Sequence, residues 1–142
     1  MDWRDVFHQD GSLRDIYIRG TTLVDWQRFL DFVRTQSGWT ASFRWDDQER
    51  PMPADASDIF EERRHASPLL SLSLQGIVVN CHFFMPDEIE LDVDPRQIAQ
   101  QDDAERVYAF LAQAGKHLRK EVTLTEENSP EAILHRFGPT SD

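Results

Sequence analysis

The chain has 142 residues, 39% of them hydrophobic and 11% aromatic, enough large apolar side chains to close a core without disulfide or metal staples, which excludes a disordered segment. Fifteen Lys and Arg stand against 26 Asp and Glu, a formal net charge of −11; that field repels a phosphate backbone, speaks against nucleic acid as a partner and favours encounter with a basic protein, with solubility as the plainer reason for the acidity. Cys81 is the single cysteine, so no internal bridge and no cysteine-framed zinc site can form.

In chain order, a short amphipathic start carries Trp3, Val6 and Phe7, and Leu13 to Arg19 reads as a first strand with Ile16 and Ile18 facing one way. Thr21 or Thr22 then caps a helix whose apolar positions Leu23, Trp26, Phe29, Leu30 and Val33 recur at helical spacing, ended by Gly38. Trp39, Ala41, Phe43 and Trp45 alternate as in a half-buried strand, and Asp46 to Pro53, rich in charge and proline, reads as a mobile loop. A short helix follows from Asp55 or Ser57 through Ile59, Phe60 and Arg63, closed by Ser67-Pro68.

Leu70, Leu72 and Leu74 alternate with serines, Gln75-Gly76 makes a turn, and Ile77 to Phe84 is almost continuously apolar, the pattern of a central strand covered on both faces. After Met85-Pro86-Asp87, Ile89, Leu91 and Val93 alternate with Glu88, Glu90 and Asp92, giving a three-strand antiparallel meander. Asp94-Pro95 stops that strand. From about Asp102, the residues Ala104, Val107, Phe110, Leu111, Ala114 and Leu118 mark an amphipathic helix, with acids at its start and bases at its end. Val122 and Leu124 read as another strand, Ser129-Pro130 as a helix start, and Leu134 to Phe137 as a short final strand or loop. The expected fold is α+β over residues 1–142 as one domain: a mainly antiparallel sheet with the meander and two principal helices on one face.

The chemistry-bearing residues point to binding more than to catalysis. His8, His65, His82, His117 and His135 show no metal-pair spacing, so no metal and no cofactor is expected. Cys81 and His82 are successive strand residues on opposite faces and cannot form a nucleophile and base pair. Asn80 and His82 share one face of an apolar strand; they are either satisfied by neighbours or line a pocket reaching His135. Glu88, Glu90 and Asp92 share a face that reads as solvated, without the glycine or asparagine cradle of a calcium loop. Six glycines frame no phosphate loop or serine elbow, and no catalytic residue is assigned.

The segments Ser12 to Ile18, Thr22 to Trp26 and Gly76 to Pro95, with Asn80-Cys81-His82-Phe83-Phe84 and Glu88-Ile89-Glu90-Leu91-Asp92 at their centre, resemble a group of small stand-alone bacterial proteins of undefined activity. In type, the size, acidity and lack of an active-site signature resemble bacterial toxin-immunity proteins, and the resemblance implies a cytoplasmic inhibitor that binds a toxin. The opening Met1-Asp2-Trp3-Arg4-Asp5 lacks a signal peptide's basic start, and no run approaches the roughly 20 apolar residues of a membrane span, which also reads as cytoplasmic. The leading expectation is a protein-binding module whose acidic surface, Glu88, Glu90 and Asp92 with Asp46, Asp47 and Glu49, meets a basic partner, with Trp45 and Trp39 as aromatic anchors and core packing as the alternative for both, the stronger for Trp39. The rivals are a small-molecule-binding protein or enzyme with a pocket near Asn80 and His82, and a homo-oligomer that covers a sheet edge.

Overall fold

The computed structural model describes residues 1–139. The elements are α1 (Trp3–Val6), β1 (Arg14–Arg19), α2 (Leu23–Thr35), β2 (Thr40–Trp45), β3 (Gln48–Glu49), α3 (Ala56–Glu62), β4 (Pro68–Leu74), β5 (Ile77–Met85), β6 (Glu88–Val93), a 3-10 turn (Pro95–Gln97), α4 (Gln101–Leu118), β7 (Val122–Glu126) and β8 (Ser129–Phe137). Together they form an α+β fold whose eight strands make one antiparallel sheet in the order β3-β2-β4-β5-β6-β1-β7-β8.

Period-two alternation decides which side of the sheet holds the core. Ile16 and Ile18 of β1, Leu70, Leu72 and Leu74 of β4, Val79, Cys81 and Phe83 of β5, and Ile89, Leu91 and Val93 of β6 are all buried. They meet Trp26, Phe29 and Leu30 of α2, Ile59 of α3 and Val107, Phe110 and Leu111 of α4 in one cluster. Each such fully buried side chain contributes about 1.5–3 kcal/mol relative to exposure. Trp26 is the centre of this layer, stacked on Phe83 at 4.9 Å and edge-on to Phe60 at 5.1 Å; its indole N–H has no hydrogen-bond partner among these rings.

The helix ends follow from their capping residues. Thr22 and Asp25 form a reciprocal capping box at the start of α2, and Asp25 also lies 3.8 Å from the Lys120 ammonium at the end of α4, so one carboxylate ties two helix termini together. Arg119 takes a left-handed conformation after α4, and Lys120 N–H returns to the Gly115 carbonyl at 3.1 Å. The N-terminal segment is held by Arg14, only 3% exposed, whose guanidinium donates to the carbonyls of Val6 at 2.7 Å and His8 at 2.6 Å and to Ser12 Oγ at 2.8 Å.

Three expectations are corrected. The stretch 46–53 holds a hairpin tip, because Asp46 and Asp47 both adopt positive φ and return the chain as β3. Residues 129–137 form a strand in place of a helix start; as the outermost strand, β8 accepts Pro130, and its ladder with β7 shifts register twice. β5 is covered on one face only: Val78 is 37% exposed and Phe84 49%, because no helix of the described residues packs on their side.

Candidate functional site

The face of the sheet opposite the helices carries the other half of each alternation, and here most side chains are polar. One row runs Ser42, Ser71, Asn80, Asp92, Asp15 and Thr125 across β2, β4, β5, β6, β1 and β7; the next runs Arg44, Leu69, His82, Glu90, Tyr17 and Thr123. Cross-strand neighbours lie close enough to interact, and Ser71, Asn80, Asp92 and His82 are joined in a chain of hydrogen bonds. Ser71 Oγ donates to Asn80 Oδ1 at 2.7 Å, Asn80 Nδ2 to Asp92 Oδ1 at 3.5 Å, and His82 Nε2 meets Asp92 Oδ2 at 2.6 Å. The His82 ring lies flat on Phe84, 7° from parallel at 5.1 Å.

The acids of this face are half-buried, which corrects the expectation of a solvated ladder. Glu88, Glu90 and Asp92 are all partly covered, and Arg19 reaches Glu88 at 3.4 Å. Asp15 is 5% exposed and accepts from Asn128 N–H at 2.8 Å and from the Tyr17 hydroxyl at 3.2 Å. The Arg19 guanidinium sits over the Tyr17 ring at 5.3 Å.

Burial and crowding set the protonation preferences. Burial raises the Asp15 carboxyl, against the opposing pull of its two donors, and raises Glu90, with the charges of Asp15 and Glu88 adding to it. The hydrogen bond to Asp92 raises His82, outweighing the burial that would lower it. Burial drives the Cys81 thiol far up, on the core side, so this cysteine is a packed apolar group, not a nucleophile.

The residues singled out from sequence divide into those this face assembles and those it does not. Asn80, His82, Glu88, Glu90 and Asp92 come together on it. Asp46 is committed elsewhere: its carboxylate accepts from Ser67 N–H at 2.9 Å while its own N–H donates to the Ser67 carbonyl at 3.0 Å. Asp46 and Asp47 nevertheless line a cleft of about 500 Å3 with Arg63, Leu69, His82 and Phe84. Glu49 sits at the sheet edge, accepting from Ser42 Oγ at 3.0 Å. Trp45 shares the parity of Phe43 and packs on it at 5.3 Å, and Trp39 packs on Phe32 and Phe110; both belong to the rim of the core, on the far side from Glu90. His135 is also on that far side, in register with the buried Leu124 and 5.2 Å from the Tyr108 ring, so it does not reach a pocket with Asn80.

Sequence reasoning missed Asp15, Tyr17 and Phe84. The alternation of Arg14 to Arg19 placed Ile16 and Ile18 on one side, so Asp15 and Tyr17 were legible as residues of the other; that β1 would lie beside β6 was not. No three His, Cys, Asp or Glu side chains among the described residues are placed to share a metal ion. No helix of the described residues is long and apolar enough to cross a membrane. Comparison with protein-family models, with curated proteins and with solved structures finds no match.

Proposed function

We propose that this chain is a cytoplasmic protein-binding module of the immunity type, which blocks a basic toxin partner with the helix-free face of its sheet. The observation that carries the reading is the half-buried acidic row Glu88, Glu90 and Asp92, beside the buried Asp15, on a face that no helix of the described residues covers. Carboxylates held on a sheet, Asp92 by His82 and Glu88 by Arg19, need little reordering to meet a partner's Lys or Arg side chains. Phe84, half-exposed beside His82, replaces the tryptophans as the aromatic anchor, since aromatic side chains bordered by polar groups concentrate binding energy. Arg19, Arg44 and Arg136 flank the acids on the same face and discriminate against partners of uniform positive charge.

The test is capture with tagged protein from the source cell's lysate at low and high salt, followed by an activity assay of what is retained. A basic protein retained at low salt, weakened at high salt and inhibited on binding supports the proposal. Retention that does not depend on salt, or a partner whose activity is unaffected, overturns the inhibitory role.

A second reading rests on the cleft beside His82. Its volume of about 500 Å3 falls within the range of small-ligand sites, and Arg63, Asp47 and the paired His82 and Phe84 rings supply charge and a stacking wall. Under that reading a metabolite screen finds a ligand that Phe84→Ala removes and that Glu88→Lys leaves bound.

A further inference from the structure

The bases at the end of α4 exceed what a helix end needs. A helix C-terminus carries a partial negative charge of about half an elementary charge. Here the Lys120 ammonium already lies at that end, 3.8 Å from Asp25, and the Gly115 carbonyl accepts from Lys120 N–H at 3.1 Å. Lys116 and Arg119 add further positive charge, and neither meets a carboxylate among the described residues, in a chain where 26 acids stand against 15 bases. Arg119 also takes φ 56°, a left-handed conformation that costs a side chain but not a glycine, the usual residue at this place. Glycine would make the same turn with less strain, so the turn itself does not call for an arginine.

These bases line a cleft of about 390 Å3 between the C-terminal ends of α2 and α4, with Phe32 and Gln36 on one wall and Gln113, Lys116, His117 and Arg119 on the other. The cleft holds bases and amides and no acid. Three other clefts mix the signs: Asp46 and Asp47 with Arg63, Glu49 with Arg50, and Asp2 and Glu105 with Arg4. None of the five polar side chains in the basic cleft is hydrogen-bonded to another group among the described residues, so their donors are open to a ligand. The His117 ring is held by stacking on Phe32 at 5.1 Å, 29° from parallel, and Phe32 is itself packed on Trp39 and Phe110. We infer that this cleft binds a small phosphorylated metabolite, its phosphate between Lys116 and Arg119 and its organic part along the His117 ring. A guanidinium meets phosphate oxygens in pairs and an ammonium meets them as a point charge, while the Gln36 and Gln113 amides supply neutral donors. A carboxylate, with only two oxygens, would use fewer of them. The volume falls within the range of small-ligand sites. A nucleic acid is a poorer occupant, because its run of phosphates would meet the field of a molecule of net charge −11, whereas one phosphate feels mainly the bases beside it. The inference is independent of the acidic face, which lies on the other side of the sheet.

The probe is phenyl phosphate, with inorganic phosphate and phenol as its two parts, titrated in phosphate-free buffer and followed by the NMR signals of the His117 ring and by calorimetry. The expected result is saturable movement of the His117 signals with phenyl phosphate at millimolar concentration, weaker binding of inorganic phosphate and none of phenol. Lys116→Gln and Arg119→Gln each weaken binding about tenfold or more, the effect of one lost charge-assisted hydrogen bond. Arg96→Gln, which removes a base paired with Asp94 at 2.7 Å, binds as the parent does. Arg119→Gly weakens binding as Arg119→Gln does, yet keeps or raises Tm because the left-handed turn is relieved. Unmoved His117 signals, phenol binding as well as phenyl phosphate, or an equal loss of affinity in Arg96→Gln each overturns the inference. A lowered Tm with unchanged affinity in Arg119→Gly overturns it too, since the arginine would then serve the helix end alone.

Discussion

Arg14 shows what one buried charge does for this fold. Its guanidinium ties the carbonyls of Val6 and His8 to the sheet, and hydrogen bonds to a charged group are worth about 1.5–3 kcal/mol each before the cost of burying it. Arg14→Met should lower unfolding free energy by about 3 kcal/mol in urea titration, because it leaves two carbonyls unsatisfied, and should release the segment carrying Trp3 and Phe7 to proteolysis. A loss under 1 kcal/mol would mean that Phe7, stacked on Tyr108 at 5.8 Å, holds the segment by itself.

The His82 and Asp92 pair gives a second test at this scale. Since Asp92 raises His82, the His82 ring should titrate above the ordinary value of about 6.5 in an NMR pH series, and Asp92→Asn should bring it down. The sign for stability follows: a histidine whose folded pKa is raised stabilises the fold fully below about pH 6.5, and that contribution is lost as pH rises through the raised value. The Asp92→Asn penalty should therefore be larger at pH 5.5 than at pH 9, about one unit below and well above the ordinary histidine range. Equal penalties would show that the pair is not charged in the folded protein.

Among the elements, the junction of α4 and β7 is packed to contact. A Cβ at Gly115 would meet the Lys120 carbonyl at 3.1 Å, on the turn that feeds β7, and Val122 Cγ2 at 3.2 Å, on the first residue of β7. Gly115→Ala should gain about 1 kcal/mol of helix propensity and lose about 1–3 kcal/mol to overpacking, a net destabilisation seen as a lower Tm. A raised Tm would show that the Arg119 turn yields freely. The same elements show how far the sequence was legible. The α2 and α4 periodicities, the Gln75-Gly76 turn and the Glu88 to Val93 alternation stand in the structure much as the residues imply, because local capping and period decide them. The β2–β3 tip was hidden because Asp-Asp replaces the glycine that usually marks such a turn, and β8 because proline reads as a helix start until the strand is known to be an edge. β5 looked doubly buried because Val78 and Phe84 are apolar residues on a polar face.

At the scale of the whole molecule, one face of the sheet is core and the other is mostly polar. The strand order puts β5, β6 and β1 side by side in the middle of the sheet, and only that order brings Asn80 and His82, read from one segment, beside Glu90 and Asp92 from the next and Asp15 and Tyr17 from the start of the chain. The pairing of β1 with β6 joins residues as far apart in the chain as Arg14 and Val93, which no local pattern encodes, so half of the site was readable and its assembly was not. The net charge of −11 acts over the whole surface, whereas the acidic row acts at contact, and the two separate by salt: long-range steering is screened beyond about 10 Å at 0.1 M, half-buried contacts much less. The most direct measurement is the affinity of the captured partner for the parent and for a Glu88→Lys, Glu90→Lys variant, at two salt concentrations. The proposal predicts a loss of at least about a hundredfold, from two contacts of roughly 1.4 kcal/mol or more, with a flatter salt dependence in the variant. Equal affinity of a folded variant at both salts would contradict recognition by this face.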